Sequence, residues 1–320
     1  MLIALYYTMT QIAFIFPGQG SQKVGMGAEL AETYPIAKNV FDESDNFLER
    51  PLSQLCFEGP EAELKQTENT QLAILTCSIA TLRVLTQLGV VPQVVAGHSL
   101  GEYSALVASG VLEFADALRL VGARAQFMAE AGEEQNGTMA AILGMEAKQL
   151  EHFCGKVDGI VKIANYNCPG QLVISGEVDA VNEVVAFVSA EIGARRCRLL
   201  PVSGAFHSPL MESAQQKFQS VLDSVQLNPP QIDIAMNVTG EFAMDLDNIK
   251  HLLFQQITEP VQWEKTLRAI GKTGITHFVE VGPGKVLSGL VKRTLPESAA
   301  LNVEDVETLL LVTDEYGNGG

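Results

Sequence analysis

The run Gly97-His98-Ser99-Leu100-Gly101 sets a serine in the pattern G-x-S-x-G. A serine at the tip of a strand-to-helix turn is an exposed nucleophile. The helix that follows would aim amide hydrogens and a positive dipole end at any oxyanion formed beside it. The surroundings suit this. An apolar run, residues 90–96, broken by Pro92 and Gln93, precedes the motif, and a helical stretch, residues 102–109, follows it. The flanking glycines are expected on two grounds: larger side chains would crowd the turn, and positive φ comes easily to glycine. The chemistry is transfer of an acyl group onto Ser99.

A serine hydroxyl needs a base. His207, in the loop-like Ser203-Gly204-Ala205-Phe206-His207-Ser208-Pro209, is the candidate. His98 should point away from its neighbour at a sharp turn. His152, His251 and His277 lie in helix- or strand-like stretches and read as structural. No acid between Ser99 and His207 sits in a strand-to-loop context; Glu113, Asp116, Glu130, Glu146, Glu151, Glu177, Asp179, Glu183 and Glu191 read as solvated helix faces. This points to a serine–histidine dyad with its imidazole oriented by a neutral group. Arg124 is also informative. Its neighbours three and four positions away are Leu120, Val121, Phe127 and Met128, so it stands on an apolar helix face and needs an anion. That anion is a ligand carboxylate, suited to the guanidinium fork, or a protein acid; snorkelling to the surface is the third option.

The elements that must position these groups alternate between strand and helix. Residues 11–16 read as a buried strand ending at a Gly-rich loop, Gly18-Gln19-Gly20-Ser21-Gln22, that fits no phosphate-binding pattern. Residues 72–88 read as an apolar helix closed by Gly89, and residues 114–130 as another. Residues 232–236 and 277–281 read as buried strands. The pattern predicts an α/β fold with a parallel sheet covered on both faces. Between them the rhythm changes. Strand 139–143, helix 146–154, strand 160–165, the turn Asn167-Cys168-Pro169-Gly170, strand 172–175, helix 178–191 and strand 196–202 give βαββαβ, a ferredoxin-like order. This predicts an insert over residues 135–203 in a larger domain formed by 1–134 and 204–320, with a pocket between the two.

Composition narrows the function classes. A chain of 320 residues, 47% apolar and 18% charged, can bury a substantial core. A net charge of −17 argues against nucleic acid. No run of 18 apolar residues is present, so no membrane span is expected; residues 1–7 lack the basic start of a signal peptide, and Met9 is a candidate start. Five scattered cysteines and five unpaired histidines predict reduced thiols, a cytoplasmic setting and no metal. After Thr294 come six acids and no basic residue, and residues 314–320 read as a frayed tail.

Four blocks in order make the chain resemble the malonyl-CoA:acyl-carrier-protein transacylase family of type II fatty-acid synthesis, over roughly residues 11–313. They are Phe16-Pro17-Gly18-Gln19-Gly20-Ser21-Gln22, Gly97-His98-Ser99-Leu100-Gly101-Glu102-Tyr103, Gly204-Ala205-Phe206-His207-Ser208 and Val281-Gly282-Pro283-Gly284-Lys285-Val286-Leu287. The resemblance implies an α/β-hydrolase-like large domain with a ferredoxin-like insert. It implies Ser99 as nucleophile, His207 as base, Arg124 on the malonyl carboxylate, and the amides of Gln19 and Leu100 as oxyanion hole. Gln256 would orient the histidine through its main-chain carbonyl, Asn165 would face the cleft, and Phe206 would disfavour a methyl-branched acyl group. Cys168 stands where a serine is common. The implied reaction is ping-pong transfer of malonyl from malonyl-CoA to the phosphopantetheine thiol of an acyl carrier protein, with no resident cofactor and a monomeric enzyme. Arg195, Arg196, Arg198, Lys285, Lys292 and Arg293 are the basic groups available to an acidic carrier. The alternatives are an acyltransferase serving a polyketide synthase, and a serine esterase or thioesterase.

Overall fold

Along Ile12–Phe16 every residue is buried, and successive side chains enter different cores: Ile12, Phe14 and Phe16 pack on one side, Ala13 and Ile15 on the other. A strand with no polar face must lie inside a sheet covered on both sides. The structure, a computed structural model, describes residues 10–243 and 245–317. The expectations for residues 1–9 and for 318–320 fall outside that range. The strands are β1 (Ile12–Phe16), β2 (Val94–Gly97), β3 (Gly137–Leu143), β4 (Val161–Cys168), β5 (Gln171–Glu177), β6 (Cys197–Leu199), β7 (Asp233–Ala235), β8 (Phe242–Ala243), β9 (His277–Val281) and β10 (Ala299–Val303).

The larger sheet has the order β10-β9-β1-β2-β7-β8. All pairs are parallel except β7 with β8. One face carries the helices Thr67–Gln87 and Phe114–Glu134; the other is sealed by Trp263, Leu267, Ile270 and Leu290. The second sheet, antiparallel and ordered β4-β5-β3-β6, is the ferredoxin-like arrangement, with Ala147–Cys154 and Val178–Ile192 as its helices. Its core of Ile142, Ile163, Ile174, Val181 and Val184 is separate. Backbone ties the smaller sheet to the segment before Trp263: Val261 N–H donates to Ala164 O (2.8 Å) and Tyr166 N–H to Val261 O (2.9 Å).

Three sequence expectations shift. The strand expected over 196–202 is only Cys197–Leu199, because Pro201 has no N–H to extend the ladder. The turn expected from Asn167 starts later, since β4 runs through Cys168. Residues 314–316 are no frayed tail. They end the helix Val306–Tyr316, held by the buried Leu309 and Val312 and by an N-terminal capping box of Asp305 and Thr308.

The elbow glycines are required by space. A Cβ on Gly97 would collide with the backbone of Gly101, and one on Gly101 with the carbonyl of Phe16. Neither has positive φ; that conformation belongs to Ser99 itself. Gly101→Ala should therefore lower stability by about 3 kcal/mol or more, since backbone cannot yield as a side chain can. Thermal unfolding checks this, and an unchanged midpoint would contradict the close packing of β1 on the elbow.

Candidate active site

Parallel neighbours end at the same edge of a sheet, so the loops after β1, β2 and β7 converge. The first brings Gln19, the second Ser99 and Leu100, and the third Asn237. Ser99 has φ 51° and His207 φ 58°; besides Glu49 they are the only non-glycine residues among those described with positive φ. Such backbone persists only where surrounding bonds over-determine it. Around Ser99 they do. Its N–H donates to Asn237 Oδ1 (2.7 Å), Asn237 Nδ2 donates to Gly97 O (2.6 Å), and Gln256 Nε2 donates to Ser99 O (2.8 Å).

Ser99 Oγ lies 2.7 Å from His207 Nε2, and His207 Nδ1 lies 2.7 Å from the carbonyl oxygen of Gln256. A carbonyl can only accept, so Nδ1 carries the proton and Nε2 is free to take the serine's. Burial, then the nearby Arg124 charge, push the His207 pKa down to about 3, against the Gln256 hydrogen bond. The resting imidazole is neutral. His98 turns away from Ser99, with Nε2 2.9 Å from Asn167 Oδ1 and its ring edge-on to Trp263.

Arg124 is 1% exposed. Nη1 donates to Gln71 Oε1 (2.5 Å), and Nη2 donates to Ser99 Oγ (3.0 Å) and Gln256 Oε1 (2.9 Å). Nε is left without a partner. Among the described residues no carboxylate lies within ion-pair distance of this guanidinium. The protein acid left open by the sequence is thus not in contact with it, and snorkelling is ruled out by burial.

Ser99, His207, Arg124, Gln19, Leu100, Asn165 and Phe206 all line one cavity of 110 Å³. Gln256 does not. It lies fully buried behind the site, where its main-chain carbonyl meets His207, the contact expected of it, and its side-chain Oε1 meets Arg124. The N–H groups of Gln19 and Leu100 have no acceptor among the described residues. A second cavity of 220 Å³ shares Gln19, His98, Asn165 and Leu200 with the first and continues past Ser21 and Leu290. The described residues hold no group of three His, Cys, Asp or Glu side chains fit to bind a metal, and no helix long and apolar enough to cross a membrane.

Sequence reasoning missed Gln71, Glu102 and Asn237. Glu102, one turn after the nucleophile, is buried; burial pushes its pKa up to about 7, opposed by hydrogen bonds from Asn237 and Gln256 and by the charge of Arg124. Its position inside the motif block was the one available signal. Gln71 falls just before the helix expected over 72–88, and Asn237 is an amide just beyond a buried strand.

The chain is similar to known proteins over nearly its whole length. The acyl transferase domain family matches residues 13–314. The malonyl CoA-acyl carrier protein transacylase of Bacillus subtilis is 47% identical over 306 residues, covering 95% of this chain and 96% of that protein. The Escherichia coli protein of the same name is 45% identical over 297 residues, 91% of this chain and 96% of its own. Among solved structures, the malonyl-CoA:acyl carrier protein transacylase of Xanthomonas oryzae pv. oryzae superposes with a TM-score of 0.93 at 39% identity, over 97% of this chain and all of that one. A malonyl-transacylase in complex with a type II polyketide-synthase acyl-carrier protein superposes with a TM-score of 0.92, also at 39% identity, over 96% of this chain and 100% of that one.

The neutral imidazole can be checked directly. Because its pKa is depressed, His207 should stay in the Nδ1–H form as pH falls from 8 through the ordinary histidine value near 6.5 to about 5. Nitrogen and carbon NMR of labelled histidine reads this; a His207 midpoint near 6.5 would contradict it.

Proposed function

Because the chain belongs to the acyl transferase family, among the malonyl-CoA:acyl-carrier-protein transacylases, we propose that Ser99 carries malonyl from malonyl-CoA to the phosphopantetheine thiol of an acyl carrier protein. Ser99 Oγ attacks the thioester carbonyl as His207 Nε2 takes its proton. The tetrahedral oxyanion meets the amides of Gln19 and Leu100, each worth about 3 kcal/mol of transition-state stabilisation. The departing CoA thiolate takes the proton back from His207. The carrier's thiol then enters, gives its proton to His207, and attacks the malonyl ester; the serine oxygen leaves and recovers the proton. A base with so low a pKa is unprotonated at rest and accepts only as negative charge builds beside it.

One observation carries the choice of acyl group: Arg124, a buried cation in contact with no protein carboxylate, donates to the nucleophile's own oxygen. An acyl group ending in a free carboxylate would supply an anion in direct contact, a few bonds from the ester. Phe206, 6% exposed on the cavity wall, supports preference for unbranched malonyl. A hydrolase with the same elbow is disfavoured because it has no use for that cation. Carrier recognition is supported by exposed basic groups, of which Arg293 and Lys285 stand beside the second cavity. The side chains of Arg195, Arg196, Arg198, Lys285, Lys292 and Arg293 are exposed, and no carboxylate among the described residues pairs with them. Arg293 Nη1 donates to Gln171 Oε1 (2.6 Å) in the wall of the second cavity, and Lys285 precedes Val286 in that wall. Such groups let an acidic enzyme meet an acidic partner.

Intact-protein mass spectrometry after mixing with malonyl-CoA should show one malonyl group, absent in Ser99→Ala. Arg124→Ala should load malonyl about a hundredfold more slowly while keeping or gaining acetyl loading. Equal malonyl loading by that variant would remove the carboxylate role. Reversal of charge at Lys285 and Arg293 together should raise the carrier-protein KM, more in low salt than in high. An unchanged KM would place docking elsewhere.

A further inference from the structure

We propose that Glu102 is a positioning residue of this site: through the side-chain amide of Gln256 it holds Arg124 ready for a ligand carboxylate without touching it. This rests on the acyl-transfer reading above and adds a residue that reading does not use.

Glu102 is 1% exposed. Oε1 accepts from Asn237 N–H (2.5 Å) and Oε2 from Gln256 Nε2 (2.7 Å). The other Nε2 hydrogen of Gln256 goes to the Ser99 carbonyl (2.8 Å). With both hydrogens engaged by acceptors, the amide has one orientation left, and its Oε1 meets Arg124 Nη2 (2.9 Å). Flipped, it would set an NH2 group against the guanidinium and an oxygen against two acceptors. Glu102 therefore fixes which end of the amide the cation sees.

Both oxygens of Glu102 accept from donors, the arrangement that suits its charged form. When ionised, it lies one neutral amide from the guanidinium, so each charge offsets the other through a polarised link. A direct carboxylate–guanidinium pair would occupy donors that an incoming carboxylate needs. The spacer keeps the compensation and leaves Arg124 available. A second arm runs through Asn237: its N–H is held by Glu102 while its side chain holds Ser99 N–H. One carboxylate thus braces both the cation and the strained serine.

The test is Glu102→Gln, which keeps the shape but offers one acceptor oxygen and an NH2 group to two donors. The malonyl-over-acetyl ratio of Ser99 loading should fall about tenfold, with the malonyl-CoA KM rising more than the acetyl-CoA KM. A purely structural role would slow both acyl groups alike. Gln256→Met should lower the ratio similarly, and the double variant should be no worse than Gln256→Met alone. A ratio within about twofold of wild type in Glu102→Gln, or multiplying effects in the double variant, would overturn the proposal. Should the variants fold poorly, NMR on the unaltered enzyme decides. Both side-chain amide hydrogens of Gln256 should be protected from exchange, and free exchange of either overturns the proposal. Unaltered enzyme that takes up no malonyl would instead sink the transferase reading, whatever the amide does.

Discussion

A guanidinium sealed from water among neutral oxygens is an unfavourable arrangement, and the site is organised around it. Gln71, Ser99 and Gln256, from distant parts of the chain, each give Arg124 an oxygen, and none gives it a full negative charge. The same positive charge lies near enough to His207 to help keep the imidazole unprotonated. One cation thus stands with no anion in contact and helps keep the base in its working form. Replacing any of the three oxygens with an acid would satisfy the charge and spoil both effects.

Backbone strain supplies the rest. Nucleophile and base both sit in left-handed conformations that ordinary side chains avoid. The parallel register of β1, β2 and β7 makes this affordable, because the neighbouring strand ends supply the bonds that lock Ser99. The elbow glycines let the start of the helix Gly101–Ala108 approach the backbone of β1 closely.

Much of this was legible in the residues, and the failures have a common cause. The change from long α/β spacing to a compact βαββαβ rhythm announced the second sheet, because strand and helix periods are local. Arg124 stood out because a cation on an apolar helix face is locally anomalous. Gln71 and Asn237 carry no such mark; each matters only through a partner 53 or 140 positions away. Glu102 was overlooked because a triad acid was sought in contact with the histidine, whereas the carboxylate acts one amide removed. Residues 314–316 resemble a tail because acids and glycines dominate the last seven positions, yet they end a helix anchored upstream by Leu309 and Val312 at helical spacing. The φ assignment failed for a simpler reason: glycine permits positive φ, but here its value was its size.

The backbone stitch between Val261 and strand β4 has a consequence for how cargo reaches the serine. Two main-chain hydrogen bonds rivet the smaller sheet to the segment just beyond Gln256. With His98 clasping Asn167 close by, the jaws of the cleft cannot swing apart without tearing these links. Widening the entrance therefore costs these hydrogen bonds. Cavities of 110 and 220 Å³ have room for a slender thioester arm laid lengthwise and none for the bulky body that bears it.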